Sequence, residues 1–105
     1  MNKSDFAARL TRYQNSLMIN ICDVELVDTE IKHGSLTIKM SKNFWQERTI
    51  NESDAESLLK ECHIANLVGD KIISKAITMN LAKRNSIKLF SNIPFLMIFR
   101  FHQGQ

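Results

Sequence analysis

A helix-patterned stretch, residues 53–79, is framed on both sides by strand-patterned sequence. That order confines the chain to an α+β two-layer domain, a sheet on one side and helices on the other. Ahead of the helical stretch, residues 6–12 and the strongly apolar residues 17–22 flank a turn candidate at residues 13–16, where Asn15 is suited to positive φ. His33-Gly34 marks the next turn. Leu36, Ile38 and Met40 then alternate with Thr37 and Lys39, the period of a half-buried strand, and Phe44 and Trp45 follow at its end to cover one edge of the core. Behind the helical stretch, residues 86–90 and 95–101 read as strands broken by Ser91-Asn92-Ile93-Pro94. The expectation is a mostly antiparallel sheet of about five strands with two helices between the third and fourth. Residues 6–12 are expected at an edge and residues 95–101 near the centre.

Ser53-Asp54-Ala55-Glu56 has the form of a capping box, so a first helix is expected to start there, with Ala55, Leu58, Leu59 and Cys62 as its apolar stripe. A second helix is expected over residues 64–79. Ile64, Leu67, Val68, Ile72, Ala76 and Met79 fit one face at 3.6-residue spacing, Asp70, Lys71 and Lys75 lie around the other side, and Asn80 ends it in the left-handed conformation. Asn66 and Gly69 stand out inside this run because helix propensity favours neither. Two accounts fit them. In one they sit at an exposed helix N-terminus that offers N–H groups to a phosphate or carboxylate, with Lys71 and Lys75 adding positive charge. In the other Asn66 caps the helix and Gly69 allows a neighbouring element to pack closely. Both place Asn66 at or near a helix start. Asp23 and Glu25 are similarly two-sided: a helix cap plus a solvated acid, or a carboxylate pair for acid/base or cation chemistry. Together Asp23, Glu25, Asn66 and Gly69 form the candidate anion or ligand site.

A chain of 105 residues fits one domain, with its ordered core at about residues 5–101. Its 44% hydrophobic and 24% charged content is that of a soluble globular protein. No apolar run approaches the roughly 20 residues of a membrane span. The first ten residues include Asp5 and lack an apolar stretch, so neither a signal peptide nor a membrane association is expected. Cys22 and Cys62 give no metal-site spacing; they read as small buried side chains in a reducing interior, with a disulfide as the alternative if the fold brings their Cα atoms within about 7 Å. His33, His63 and His102 are too far apart to share a helix turn, and the isolated glycines form no phosphate loop. No cofactor or metal is therefore expected.

Charge is unevenly distributed. Residues 22–62 hold nine acids against five bases, while residues 63–105 hold six bases against Asp70 alone. Those six, Lys71, Lys75, Lys83, Arg84, Lys88 and Arg100, are the candidate phosphate contacts for a nucleic acid. In the last strand Phe95, Phe99 and Phe101 share one face, and Leu96, Ile98 and Arg100 the other. Aromatics interleaved with bases on a sheet can stack nucleobases. Packing of the aromatic face against the helices is the favoured expectation, with Arg100 then pointing outward near Lys88.

Cys22-Asp23-Val24-Glu25-Leu26, the acidic helix, Ile64-Ala65-Asn66-Leu67-Val68-Gly69-Asp70-Lys71 and the final strand pair with Pro94 between them resemble the archaeal domain of unknown function 424, over about residues 5–101. Two departures are visible. Asn80 stands where the family usually has glycine at a helix end. Ser91-Asn92-Ile93-Pro94-Phe95 replaces a Gly-Gly-x-Pro-His pattern, so a role for that histidine cannot carry over. The resemblance implies an archaeal cytoplasmic protein with a two-layer α/β fold, and no established reaction.

With no catalytic constellation readable, the leading expectation is a non-enzymatic RNA-binding protein associated with the ribosome or translation. Two alternatives stand beside it. One is an enzyme or small-ligand domain with a cleft near Asp23, Glu25, Asn66 and Gly69. The other is a protein-interaction subunit using Phe44, Trp45 and the acidic middle segment, which an exposed apolar patch would favour and a buried Trp45 would not.

Overall fold

The computed structural model describes residues 6–100. Phe101, His102 and residues 103–105 lie outside the described residues, as does Asp5. Eight strands and three helices form an α+β fold built on a six-stranded mixed sheet. The strands are β1 (Phe6–Tyr13), β2 (Ser16–Asp23), β3 (Glu30–His33), β4 (Leu36–Lys39), β5 (Arg48–Ile50), β6 (Ile64–Val68), β7 (Lys88–Phe90) and β8 (Ile93–Phe99). The helices are α1 (Lys42–Trp45), α2 (Glu52–Glu61) and α3 (Asp70–Thr78). Strand order in the large sheet is β5-β1-β2-β6-β8-β7, with β2 and β6 parallel and every other pair antiparallel. β3 and β4 form a separate hairpin.

The large sheet has six strands, not about five; it is mostly antiparallel but contains one parallel pair, and α2 and α3 are separated by β6 and do not follow one another between two strands. The parallel step arises because residues 64–68 are a strand and not the first turns of a helix. Their pattern satisfies both periods: Ala65 and Leu67 alternate with Ile64, Asn66 and Val68. Insertion between β2 and β8, with ladders on both sides, decides for the strand. Asn66 thus lies in mid-strand, not at a helix start. Residues 6–13 are internal, because β5 pairs outside them, and β8 lies next to the β7 edge. Both edge strands are three residues long, which limits pairing with other chains.

Local signals account for most boundaries. α2 starts at Glu52, earlier than the Ser53 box, because the Asn51 side chain accepts from the Asp54 N–H at 2.8 Å. The β1–β2 turn places Gln14, not Asn15, at positive φ. Ser91 and Asn92 both have positive φ, the requirement of a tight two-residue hairpin between β7 and β8. Asn80 takes the expected left-handed conformation after α3 (φ 65°).

The sheet has two unlike faces. Phe6, Ala8, Ile19, Ile21, Ala65, Leu67, Leu96 and Ile98 pack beneath Ala55 and Leu59 of α2 and Ile72, Ile73 and Ala76 of α3. The opposite face is covered only in part. There the β3–β4 hairpin and α1 bury Ala7, Cys22 and Val68 under Ile31, Met40 and Trp45. An edge contact between His33 and Phe90, and the Ser91 N–H donated to His33 Nδ1 at 3.0 Å, tie the hairpin to the β7–β8 turn. Cys22 and Cys62 belong to cores on opposite faces, and no disulfide joins them.

Candidate nucleic-acid interface

Sheet register lays three rows of side chains across the face away from α2 and α3. The first row is Ala7, Cys22, Val68, Phe95 and Lys88; Ala7, Cys22, Val68 and Phe95 pack with the hairpin and α1, and Lys88 is exposed at its end. The second is Arg9, Asn20, Asn66 and Met97, and the third is Thr11, Met18, Ile64 and Phe99. Neither of these is covered as the first is. Met97 is 55% exposed and Phe99 62%, and Phe44 of α1, at 48%, stands at the border of the covered zone. The Arg9 guanidinium lies 5.5 Å from the centre of the Phe44 ring.

Beside Phe44 the surface sinks into a groove of about 580 Å³, lined by Phe44, Trp45, Phe95, Met97, Asn66 and Lys88 among others. Its size falls in the range of small-molecule sites. No carboxylate lines it. In its floor the Asn66 amide donates to Asn20 Oδ1 at 2.9 Å, and Asn20 is only 4% exposed.

The final strand thus reverses the expected orientation. Leu96 and Ile98 meet the helices, whose aliphatic stripe they match, while Phe95, Met97 and Phe99 face away from them. Arg100 lies on the helix side. Its guanidinium donates to the carbonyl of Leu59 in α2 and lies 3.8 Å from Cys62 Sγ.

The six C-terminal bases do not share one face. Lys88 borders the open-face groove. Lys83 and Arg84 are exposed in the segment before β7. Lys71 and Lys75 are on α3, behind the sheet. Lys71 pairs with Glu25 at 3.9 Å, and Lys75 with Glu56 at 2.6 Å and Glu52 at 2.9 Å. Those hydrogen bonds hold the Lys75 ammonium above the ordinary lysine range and Glu56 below the ordinary carboxylate range. Arg9, Asn20 and Met97 were not singled out by sequence. The readable signal was an asparagine centred in each of two apolar runs, Ile19-Asn20-Ile21 and Ala65-Asn66-Leu67.

Asp23, Glu25 and Gly69 converge at the other end of β2 and β6. Asp23 caps α3 and not the 3-10 turn Val24–Leu26: its Oδ2 accepts the Lys71 N–H and its Oδ1 the Ile72 N–H, both at 2.9 Å. A Cβ at Gly69 would lie 2.4 Å from Asp23 Cγ, and Gly69 has φ 118° and ψ 154°, backbone that only glycine adopts readily. The Asp23 carboxylate thus occupies the helix N-terminus that an external anion would need. Asn66, in mid-strand, is not part of this group. Burial raises Asp23 above the ordinary carboxylate value, against the lowering by its two backbone hydrogen bonds. Burial, with Asp23 and Glu25 nearby, pushes the Cys22 thiol up to about 12, which keeps it unreactive. His63 Nδ1 accepts the Leu17 N–H at 3.0 Å. Among the described residues no three His, Cys, Asp or Glu side chains are grouped to hold a metal, and no helix is long and apolar enough to cross a membrane.

Fold and surface define an α+β protein whose mixed sheet is clad by helices on one face and presents a partly open face with aromatic and basic residues on the other. The chain belongs to the family described as "Protein of unknown function (DUF424)", whose model matches residues 11–101. The fold is also that of the crystal structure of an uncharacterized conserved protein from Methanopyrus kandleri. That protein is 16% identical, with a TM-score of 0.73 over 95% of this chain and 96% of the other. No curated protein matches the chain.

Proposed function

We propose that this protein binds single-stranded RNA on the open face of its sheet, in a non-enzymatic role, with the ribosome or translation apparatus as the setting. The observation that carries the reading is the composition of that face. Phe44, Met97 and Phe99 are exposed there beside Arg9 and Lys88, and no carboxylate lines the groove between them. Exposed rings on a sheet stack unpaired bases, and flanking cations neutralise phosphates. The reading keeps Lys88, with Lys83 exposed in the segment before β7; Arg84 lines a hollow with Asp70, Ser74 and Ile77 of α3 and falls outside it. It leaves out Lys71, Lys75 and Arg100, which are engaged by Glu25, by Glu52 and Glu56, and by the end of α2. Buried Trp45 supports the groove wall and is not available to a protein partner.

Fluorescence anisotropy with a labelled single-stranded RNA of about ten nucleotides, a length within the usual site sizes of sheet-based binders, tests this. Phe44→Ala and Phe99→Ala are each expected to weaken binding by about 1–3 kcal/mol, the value of one base–aromatic stack. No binding at low salt, or equal binding by these variants and the wild type, would refute it.

A further inference from the structure

The open face also holds a polar device that phosphate binding and stacking do not use. Asn66 is half-buried in the groove floor, and one of its N–H groups is committed to Asn20 Oδ1 at 2.9 Å. Asn20 is itself buried, so the bond fixes the plane of the Asn66 amide. Its carbonyl oxygen and second N–H have no other hydrogen bond among the described residues. The Asn66 amide lies with Phe44, Phe95 and Met97 in the lining of the groove. An adjacent acceptor and donor in a fixed plane complement the hydrogen-bonding edge of a nucleobase, as when asparagine pairs bidentately with adenine.

We infer that the groove seats one unpaired base of the bound RNA, with Asn66 hydrogen-bonding its edge and Asn20 positioning the Asn66 amide. The inference rests on the RNA-binding reading above and adds to it that the contact depends on the base. Phe44 and Met97 supply the apolar surfaces that cover the base. Lys88, at the rim and free of carboxylate neighbours within the groove, meets the adjoining phosphate. A peptide amide offers the same donor and acceptor, but carries no phosphate for Lys88 and Arg9, so the charge of the face selects the nucleotide.

The test compares anisotropy binding of the full chain to a uridine decamer, an adenosine decamer and an abasic ribose-phosphate decamer. The expected result is that the better of the two base-bearing decamers binds at least about tenfold tighter than the abasic one, the size of one good base contact. Asn66→Ala and Asn20→Ala should shrink that ratio while leaving abasic affinity unchanged, an outcome that loss of fold would not give. Photo-crosslinking of wild-type protein to a 4-thiouridine decamer is independent of any variant and should label residues 42–48 or 93–99. Asn66→Ala and Asn20→Ala variants that keep the wild-type ratio, or crosslinks confined to α2 and α3, overturn the base seat while leaving RNA binding standing; equal affinity for all three decamers overturns the base stacking on Phe44 and Phe99 as well. Failure of every decamer to bind at low salt removes the RNA reading itself.

Discussion

At the scale of single residues, the contact between Gly69 and Asp23 links two distant stretches of sequence through one steric and electrostatic requirement. The carboxylate caps α3 only because no side chain stands at Gly69. Gly69→Ala is expected to cost about 3 kcal/mol or more, since the backbone strain alone is about 1–3 kcal/mol and a methyl group would overlap the Asp23 carboxyl. Asp23→Ala removes the cap and should cost about 2 kcal/mol. The Gly69→Ala/Asp23→Ala double variant should lose clearly less than the sum, because the overlap is gone, and urea unfolding of the four proteins measures that coupling. Asp23 also gives a pH dependence. Its folded value is raised, so the folded state holds the proton more tightly than the unfolded state. Its contribution is fully present below the unfolded value of about 3.9 and is lost as pH rises through the raised folded value. The stability of the wild type relative to Asp23→Asn should therefore fall as pH is raised from about 3 to about 7. An unchanged difference across that range would contradict the assignment.

At the scale of elements, a boundary was legible wherever a local hydrogen bond or backbone requirement sets it. The His33-Gly34 turn, the left-handed Asn80 and the alternation ending in buried Met40 needed no tertiary information. The start of α2 is local too, but two competing caps stood side by side, and Asn51 holds the helix where Ser53 was expected. Asn51→Ala should thus lower stability by about 1 kcal/mol, while Ser53→Ala, on the first turn, should change little; thermal unfolding of both variants distinguishes the two caps. Residues 64–68 were not legible, because within five residues Ile64, Leu67 and Val68 fit the helical period while Ala65 and Leu67 fit the strand period. The deciding factor was the pair of vacant ladders, with partners 46 residues away on β2 and 27 to 35 residues away on β8. The parallel step in the sheet, and the mid-strand position of Asn66, follow from that one non-local choice. The final strand failed for a related reason: both of its faces are apolar, and only the aliphatic stripe of α3 selects Leu96 and Ile98 as its partners.

At the scale of the whole molecule, charge counted along the chain and charge displayed in space diverge. The basic C-terminal segment is real, yet α3 carries Lys71 and Lys75 behind the sheet, where acids from the middle segment pair with them. Arg9, from the other end of the sequence, comes to stand on the same face as Lys88 because β1 and β7 belong to one sheet. The candidate interface was therefore legible only as ingredients, since its geometry depends on which face the helices cover. This division predicts how binding responds to salt. Each phosphate contact on a single strand contributes about 0.7 to the slope of log affinity against log salt. Arg9→Ala and Lys88→Ala should each flatten that slope by about this amount, and Lys71→Ala, on the opposite face and already paired with Glu25, should leave it unchanged. If the Lys71 substitution flattens the slope and the other two do not, the RNA lies against the helices, and the exposed rings of the open face require another explanation.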